Sequence, residues 1–426
     1  MHILFLTDNF PPEVNAPATR TYEHCREWVR AGHKVTVITC APNFPSGRIL
    51  AGYRNRLIGR EVIDGINVLR VWTYIAANEG FLRRTIDYAS FMSSILPAVL
   101  SAGRTDVIVA TSPQLFAPLS ALIASRLKGC PYVFELRDLW PESIRAVGAM
   151  RNERVLRWLE QLELTLYHHA AAIVPVTNAF VENLTKRGIP RDKLHVVTNG
   201  ADLSRFKPCL RDEKLAAQLG LSGKFVAGYV GTHGMAHGLS TLLKAAQLLQ
   251  QREDMKDMHL LFLGDGAEKA ALVTKAREMQ LGNVTFLDTV PRESVASYWS
   301  LIDVSIIHLK QNPLFETVIP SKLFECMAMG IPVVHCVAGE SADIVASEGI
   351  GIVAEPENAE ALSACICHLA KNEGLRRQLA QRGPASARKY DRTALARRML
   401  DVLEGVHAAA AAGCSSACDP RLSGSP

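Results

Sequence analysis

The sequence lacks the short motifs that identify several common classes of enzyme. It contains no Walker A, H-E-x-x-H, EF-hand or G-x-S-x-G pattern, which excludes P-loop nucleotidases, zinc peptidases and serine hydrolases of those types. Gly264-Asp265-Gly266 follows an apolar run, but Lys269 stands where the third glycine of a dinucleotide-binding fingerprint belongs. Asp-x-Asp, a common carboxylate pair for a metal-bound diphosphate, is also missing. We therefore expect no metal and no cofactor.

Paired cysteines, an export signal and membrane spans are missing as well. The ten cysteines are scattered and form no C-x-x-C, which favours a reduced cytosolic protein over a disulfide-linked one. The first apolar run, residues 3–6, is short and is followed at once by Asp8, so no export signal is expected. Two uncharged stretches, residues 88–103 and 107–125, are interrupted by prolines, and neither is expected to cross a membrane.

What is present is the composition of a large globular protein with alternating strands and helices. The chain has 426 residues, of which 48% are hydrophobic and 21% charged, enough for two or three domains. Residues 3–6 and 35–39 have strand character and enclose a helical pattern over 19–31, and the same alternation restarts at residue 225. This order predicts an α/β protein with two doubly wound, parallel-sheet, Rossmann-like domains that face a cleft.

The domain boundaries follow from where the alternation breaks. We predict one domain over residues 1–200 and, after a turn-rich linker, a second over residues 201–385. A C-terminal helix over 386–404 could pack back on the first domain. Residues 406–426, with five consecutive alanines and then mostly Gly, Ser, Pro and Cys, are expected to form a disordered tail.

A glycine-rich turn follows the first strand of the second domain and precedes a helix. Glycines there would let the backbone approach a diphosphate, and the helix N-terminus would add partial positive charge. A tight strand-to-helix turn with no ligand is the competing interpretation. The candidate diphosphate-binding residues of this turn are Gly231, Thr232, His233, Gly234 and His237.

A second candidate segment is the helix predicted from Pro320 to Gly330. Lys322 and Glu325 are three residues apart and therefore share one face of this helix. Lys322 can face phosphate oxygens, and Glu325 can accept two hydrogen bonds from a ribose diol. A simple ion pair between the two side chains is the alternative. Ser321, at the start of the helix, is included in the candidate donor site.

These segments, in this order, resemble glycosyltransferase family 4, the retaining nucleotide-sugar transferases of GT-B fold. Within the family, the run from Phe134 to Ser143 is similar to bacterial O-antigen and exopolysaccharide enzymes that resemble N-acetylfucosaminyl transferases. The other matching segments are Pro11-Pro12-Glu13, 31–37, 198–202 with Phe206, Gly264-Asp265-Gly266 and 320–330.

The resemblance implies a reaction and roles for particular residues. The second domain would bind a nucleotide-sugar, a UDP-linked hexose or N-acetylated amino sugar, and the first would bind a lipid-linked saccharide used in cell-surface polysaccharide synthesis. Arg137 and Asp138 stand where many relatives carry a His-Asp pair and are the catalytic candidates. Glu325 matches the second glutamate of the family's pair, whereas Glu316 is one residue out of register, which leaves its role uncertain.

Contact with an anionic membrane is a further expectation. Residues 80–96 form a basic, amphipathic helical pattern, and residues 48–60 contain four arginines and no acid. Burial of the apolar stripe against the first sheet is the alternative. The membrane-facing candidates are Arg54, Arg56, Arg83, Arg84 and Phe91. We expect a cytoplasmic protein at the inner face of the cell membrane, with no nucleic-acid partner.

Two other functions fit the same pattern. A nucleotide-sugar epimerase of GT-B fold would need no acceptor and would place acid and base groups on the sugar. A nucleotide-binding partner subunit without catalysis is suggested by Thr232 and His237, which replace the Arg and Lys usual on the family's glycine turn.

Overall fold

The computed structural model describes residues 1–44, 47–75, 81–112, 115–146, 148, 150 and 152–417. The chain forms two compact units. Unit 1 consists of Met1–Thr198 and the segment that begins at Thr393, and unit 2 consists of Asn199–Arg392.

Each unit is built on one sheet whose strands are nearly all parallel. Unit 1 has seven strands in the order β3-β4-β2-β1-β5-β6-β7, and unit 2 has six in the order β10-β9-β8-β11-β12-β13. The strands are β1 His2–Leu6, β2 Lys34–Cys40, β3 Ile58–Ile63, β4 Ile66–Val71, β5 Val107–Thr111, β6 Tyr132–Leu136, β7 Ala172–Pro175, β8 Phe225–Val230, β9 Met258–Leu263, β10 Val284–Leu287, β11 Val304–His308, β12 Val333–Cys336 and β13 Gly351–Val353.

Helices follow most strands and cover the sheets. The central strands are buried on both faces, as the continuous apolar run of β1 requires, and this confirms the predicted class of two doubly wound α/β domains. The helices are α1 Ala16–Arg30, α2 Phe81–Ser101, α3 Phe116–Lys128, α4 Glu142–Ala146, α5 Glu153–His169, α6 Asn178–Lys186, α7 Glu213–Gln218, α8 Ser240–Gln250, α9 Lys269–Glu278, α10 Val295–Trp299, α11 Lys322–Met329, α12 Glu340–Glu348, α13 Ala359–Lys371, α14 Glu373–Ala387 and α15 Arg392–Ala417.

In both sheets the strand order reverses beside the first strand of the unit. In unit 2 the chain winds outward from β8 to β9 and β10, and then returns to the other side of β8 as β11. The loops after β8 and β11 therefore diverge at the carboxyl edge, which is where doubly wound sheets bind ligands. Unit 1 has the same reversal between β1 and β5. The edge strand β3 is antiparallel to β4, a hairpin that the sequence analysis did not identify.

The C-terminal helix belongs to the core of unit 1. Leu395, Met399 and Leu403 are buried in it, and the indole Nε1 of Trp28 donates a hydrogen bond to the Ala396 carbonyl at 2.8 Å. The helix continues to Ala417, so the expected disorder is wrong for residues 406–417. Alanine has the highest helix propensity, and a polyalanine run can extend a helix that packing has already nucleated. Residues 418–426 lie outside the described residues.

Helix α2 packs against the sheet of unit 1 and buries the part of its apolar stripe around Phe91, whereas Ile86 nearer its start is exposed. Phe91, Ile95 and Val99 are essentially inaccessible to solvent. The prediction that Phe91 faces a membrane is therefore wrong, because the stripe supplies core contacts. Arg83 is exposed, as expected for a solvated position, and the side chain of Arg84 lies outside the described part of the chain.

No helix in the described ranges combines the length and the apolar character that a membrane crossing requires.

A buried ion pair joins α1, β6 and the end of the first unit-1 segment. The guanidinium of Arg20 donates to Glu135 Oε1 at 2.8 Å, and it also donates to the carbonyls of Val197 and Thr198 at 2.9 and 2.6 Å. Burial by itself would raise the pKa of Glu135, but the charges of Arg20 and Arg137 hold it below its usual value. The carboxylate therefore stays charged inside the unit and depends on Arg20.

We expect Arg20→Met to destabilise the protein by about 3 kcal/mol, because it leaves the buried Glu135 carboxylate without its main partner. The matched control is Arg30→Met on the same helix. Arg30 is itself exposed and its partner Glu27 keeps a second contact with Arg26, so this pair contributes no more than about 1 kcal/mol. Urea unfolding followed by tryptophan fluorescence measures both. Equal losses for the two variants would contradict the role given to Arg20.

Candidate functional site

The glycine-rich turn after β8 brings backbone close to a lysine from another element. Gly231 has φ +135, and a Cβ atom there would lie 3.0 Å from the Nζ of Lys322. A Cβ on Gly264, which follows β9, would lie only 2.0 Å from the Gly231 carbonyl oxygen. The loops after β8 and β9 therefore touch through glycine backbone, and a side chain at either position would force them apart.

Lys322 is the first residue of α11, and its ammonium group is enclosed. The residue is partly buried as a whole, but its Nζ is inaccessible to solvent and has no hydrogen-bond acceptor among the described residues. The Nζ lies 3.7 Å from the centre of the Tyr229 ring, a cation–π contact. Burial lowers the pKa of Lys322 to about 7. A buried ammonium without an acceptor is costly, and an anion placed beside it would relieve that cost.

Glu325 lies one turn further along the same face of α11, as the spacing predicts. Its Oε2 accepts a hydrogen bond from the indole Nε1 of Trp299 at 3.3 Å. The Oε1 is 4.0 Å from the Nη2 of Arg392. Trp299 is completely buried, so the indole fixes one carboxylate oxygen in a set orientation while about a fifth of the Glu325 side chain stays accessible. Ser321 precedes α11 and makes no side-chain capping bond to it.

The two histidines of the turn are neutral at physiological pH. The ring of His233 is completely buried and packs against Tyr229, Phe262 and Phe286. Burial, with a smaller effect of nearby lysine charges, lowers its pKa to about 4. The pKa of His237 is lowered to about 3, again chiefly by burial. Neither histidine therefore supplies the positive charge that the family resemblance leads us to expect on this turn.

The remaining residues of the turn and its neighbours lie at the same edge. Thr232 is exposed, and its carbonyl accepts a hydrogen bond from the Tyr229 hydroxyl at 2.8 Å. Glu316 is exposed on the short 3-10 turn Phe315–Thr317, ahead of α11. His308, at the end of β11, bonds to the His237 carbonyl at 2.7 Å and thereby joins the glycine turn to the neighbouring strand.

Tyr229 and Trp299 contact the candidate residues but were not identified from the sequence. Tyr229 occurs in an apolar strand, where the sequence pattern predicts only that an aromatic residue belongs to the hydrophobic core. Trp299 is 26 positions before Glu325, and only the tertiary fold brings their side chains together.

In unit 1, Arg137 and Asp138 follow β6 at the carboxyl edge. The hydroxyl oxygen of Ser112, which follows β5, accepts hydrogen bonds from both backbone N–H groups, at 2.7 and 3.2 Å. These bonds hold the two residues next to the end of β5, one of the two strands between which the strand order reverses. Burial raises the pKa of Asp138 to about 6, and a hydrogen bond with the Ser143 side chain partly opposes the rise. The Asp138 carboxyl group can therefore change protonation near neutral pH.

Within the described residues, no cluster of three or more His, Cys, Asp or Glu side chains has a geometry that could hold a metal ion.

Two family models match the chain, one in each half. Residues 15–200 match the model described as a glycosyl transferase 4-like domain, and residues 224–372 match the model for glycosyl transferases group 1. The second match contains the glycine turn, Lys322 and Glu325.

Individual proteins give the same assignment. The glycosyl transferase WcaI of Escherichia coli K12, assigned to colanic acid biosynthesis, is 26% identical over 403 residues, which is 90% of this chain and 96% of that protein. The GDP-mannose-dependent alpha-mannosyltransferase of Mycolicibacterium smegmatis is 27% identical over 377 residues, 87% of this chain and 88% of that protein. Anabaena HepE, solved in complex with UDP and glucose, superposes with a TM-score of 0.71 at 20% identity and covers 94% of this chain and 99% of its own.

The matches confirm the resemblance seen in the sequence, and the two doubly wound units have the fold that it implies. The chain is an enzyme that belongs to glycosyltransferase family 4, the family of GT-B transferases.

Proposed function

We propose that this glycosyltransferase takes a hexose or N-acetylated amino sugar from a UDP-sugar and adds it to a lipid-linked saccharide. The observation that carries the donor half of the proposal is the buried ammonium of Lys322, which lies against the glycine turn without an acceptor. The solved complex of Anabaena HepE with UDP and glucose supports the choice of a uridine nucleotide.

Lys322 would take over the role of the missing cations of the glycine turn. A diphosphate beside Gly231 would meet the Nζ of Lys322 and the backbone N–H groups of the turn, and the N-terminus of α11 would add partial positive charge. Because His233 and His237 stay neutral, Lys322 is the group beside the turn that can offer a positive charge, and its pKa of about 7 leaves it partly protonated near neutral pH before an anion binds.

Glu325 would hold the ribose. One of its oxygens already accepts from Trp299, and the remaining lone pairs can accept from two adjacent hydroxyl groups of a ribose. Lys322 and Glu325 on one face of α11 have the separation at which one nucleoside diphosphate could engage both. The Nζ of Lys322 has no hydrogen-bond acceptor among the described residues, so no hydrogen-bonded ion pair with Glu325 accounts for the two side chains.

The acceptor half of the proposal rests on unit 1 and on the relatives. WcaI is named for colanic acid biosynthesis, which supports a role in polysaccharide synthesis. The lipid-linked acceptor at the inner face of the membrane is the part of the proposal that the family resemblance alone implies. Arg137 and Asp138 would be the catalytic residues of this unit. The sugar would leave the diphosphate and bond to the acceptor oxygen with retention at its anomeric carbon, while the acceptor proton passes to the leaving diphosphate.

Calorimetry with UDP, GDP, ADP and dTDP tests the donor assignment. We expect UDP to bind most tightly and Glu325→Gln to weaken it by about 10- to 100-fold, since hydrogen bonds to a charged group contribute about 1.5–3 kcal/mol. Glu278→Gln, an exposed position on α9, is the control and should leave binding unchanged. Tighter binding of GDP would reassign the base, and no binding of any diphosphate would overturn the nucleotide-sugar proposal.

Trp299→Phe tests whether the indole positions Glu325. Wild-type protein should bind UDP more tightly than 3′-deoxy-UDP, and Trp299→Phe should reduce that preference several-fold because the carboxylate loses its fixed orientation. Comparing the two ligands separates positioning from general destabilisation, which would weaken both equally. An unchanged preference in Trp299→Phe would contradict the positioning role.

The pKa of Lys322 predicts how donor binding depends on pH. A bound diphosphate stabilises the ammonium and raises its pKa above the free value of about 7, so affinity should be greatest below pH 7 and fall as pH rises through 8. A UDP-sugar is the appropriate ligand, since its diphosphate diester does not titrate in this range. We expect the fall to approach about tenfold per pH unit.

Lys322→Met should weaken the binding of the UDP-sugar and remove this pH dependence without lowering the melting temperature, because it eliminates a buried charge. Lys244→Met, an exposed position on α8, is the matched control and should keep the wild-type profile. A profile that is identical in wild type and Lys322→Met would show that another group binds the diphosphate.

Consumption of the UDP-sugar with and without a lipid-linked acceptor separates the rival functions. Acceptor-dependent release of UDP supports transfer, whereas a free epimer formed without acceptor would indicate an epimerase. Tight UDP binding with no turnover on any lipid-linked acceptor would favour a non-catalytic partner subunit.

A further inference from the structure

We propose that unit 1 docks on an anionic lipid bilayer through the end of the β3–β4 hairpin and the adjoining start of α2, and not through the apolar stripe of α2. The surface, called here the hairpin-end surface, consists of Arg54, Arg56, Leu57, Trp72, Tyr74 and Ile86. The inference rests on the proposed function in one respect: a lipid-linked acceptor would give the enzyme a reason to bind a membrane.

Large apolar side chains are exposed together on this surface. Leu57 is 81% exposed, Ile86 45%, Tyr74 41% and Trp72 39%. Single exposed apolar residues are ordinary, but a group that includes a Trp and a Tyr beside arginines has the composition of a membrane-interface contact. The apolar stripe around Phe91 is buried and is not available for such a contact.

Backbone contacts show that the hairpin residues form one surface. The Trp72 N–H donates to the Leu57 carbonyl at 3.3 Å, which extends the pairing of β3 with β4 past Ile58 and Val71. Next to it, the side chain of Asn55 bonds to both backbone groups of Thr73, at 2.7 and 3.2 Å. Arg54 and Arg56 flank Asn55 in the chain and are therefore held beside Trp72 and Tyr74.

The start of α2 continues this surface. The Tyr74 N–H donates to the hydroxyl oxygen of Ser90 at 2.7 Å. Ile86 lies one turn before Ser90 on the same side of the helix, and the exposed Arg83 precedes it by three residues. The apolar group thus runs from the hairpin onto the first turns of α2.

The charge of the surface is complementary to anionic lipid. Arg54 and Arg56 are exposed, and neither forms an ion pair with any residue that the structure describes. The nearest acid along β3, Glu61, is bound by Arg70 at 2.5 Å. Unpaired arginines next to apolar side chains favour a negatively charged interface. A second copy of the chain would oppose like charges across such a contact, which argues against self-association.

The location of the surface supports the choice of a membrane. Ile58 begins β3 opposite Val71, which ends β4, and β4 runs parallel to β2 and β1. The hairpin-end surface therefore lies at the carboxyl edge of the unit-1 sheet, the edge that also carries Arg137 and Asp138. An acceptor anchored in a bilayer under this surface would present its head group to that edge.

Vesicle sedimentation with the full chain tests the proposal. The vesicles are phosphatidylcholine alone and phosphatidylcholine mixed with phosphatidylglycerol, at low and high salt. We expect binding to the mixed vesicles at low salt and loss of it at high salt. Trp72→Ser and the double variant Arg54→Glu/Arg56→Glu should each reduce the partition coefficient at least tenfold.

The chain provides a matched control on α5. Trp158 is 61% exposed and lies near the exposed Arg154 and Arg157, so Trp158→Ser and Arg154→Glu/Arg157→Glu make the same chemical changes elsewhere on unit 1. The control variants should bind vesicles as wild type does. Loss of binding in the α5 variants alone would place the membrane contact on α5 and overturn the proposal.

Two further outcomes would also overturn it. The first is that wild-type protein does not bind the mixed vesicles at low salt. The second is that light scattering detects a dimer which Trp72→Ser abolishes while vesicle binding stays unchanged. UDP calorimetry on the same variants keeps the two hypotheses apart, because the hairpin substitutions should leave UDP affinity unchanged. Absence of UDP binding in wild type would count against the proposed function alone.

Discussion

The reversal of strand order between β8 and β11 is the constraint on which the candidate donor site depends. Because both strands are parallel and adjacent, the glycine turn after β8 and the segment that leads from β11 into α11 begin at the same edge. This placement puts the ammonium of Lys322 against Gly231 and above the ring of Tyr229. In the proposed donor site the positive charge would therefore come from α11, about 90 residues further along the chain, and not from the turn itself.

The sequence was sufficient for the fold class and for the relation between Lys322 and Glu325. Both follow from periodicity, since alternating strands and helices define a doubly wound sheet and a spacing of three defines one helical face. Tertiary packing decided the features that were missed. Burial makes His233 and His237 neutral, and the indole of Trp299 reaches Glu325 from another helix.

Helix α2 and the C-terminal helix show two limits of predicting structure from sequence patterns. An amphipathic stripe has the same appearance whether it faces lipid or a sheet, and Phe91 faces the sheet. A run of alanines is typical of low-complexity segments, but alanine also favours helix. The core contacts of Leu395, Met399 and Leu403 form a helix that the alanine run then extends. In both cases, whether the segment is buried or helical depends on the element that packs against it. The sequence pattern does not show which element that is.

The path of the chain has a consequence for the order in which the protein folds during synthesis. The chain leaves unit 1 after Thr198 and re-enters it at Thr393, so all of unit 2 is inserted within unit 1. When residue 392 has been made, unit 2 has its complete sequence, whereas Trp28 still lacks the carbonyl and the apolar side chains supplied by α15. The N-terminal unit must therefore wait on the ribosome, with part of its core uncovered, until the last helix has emerged.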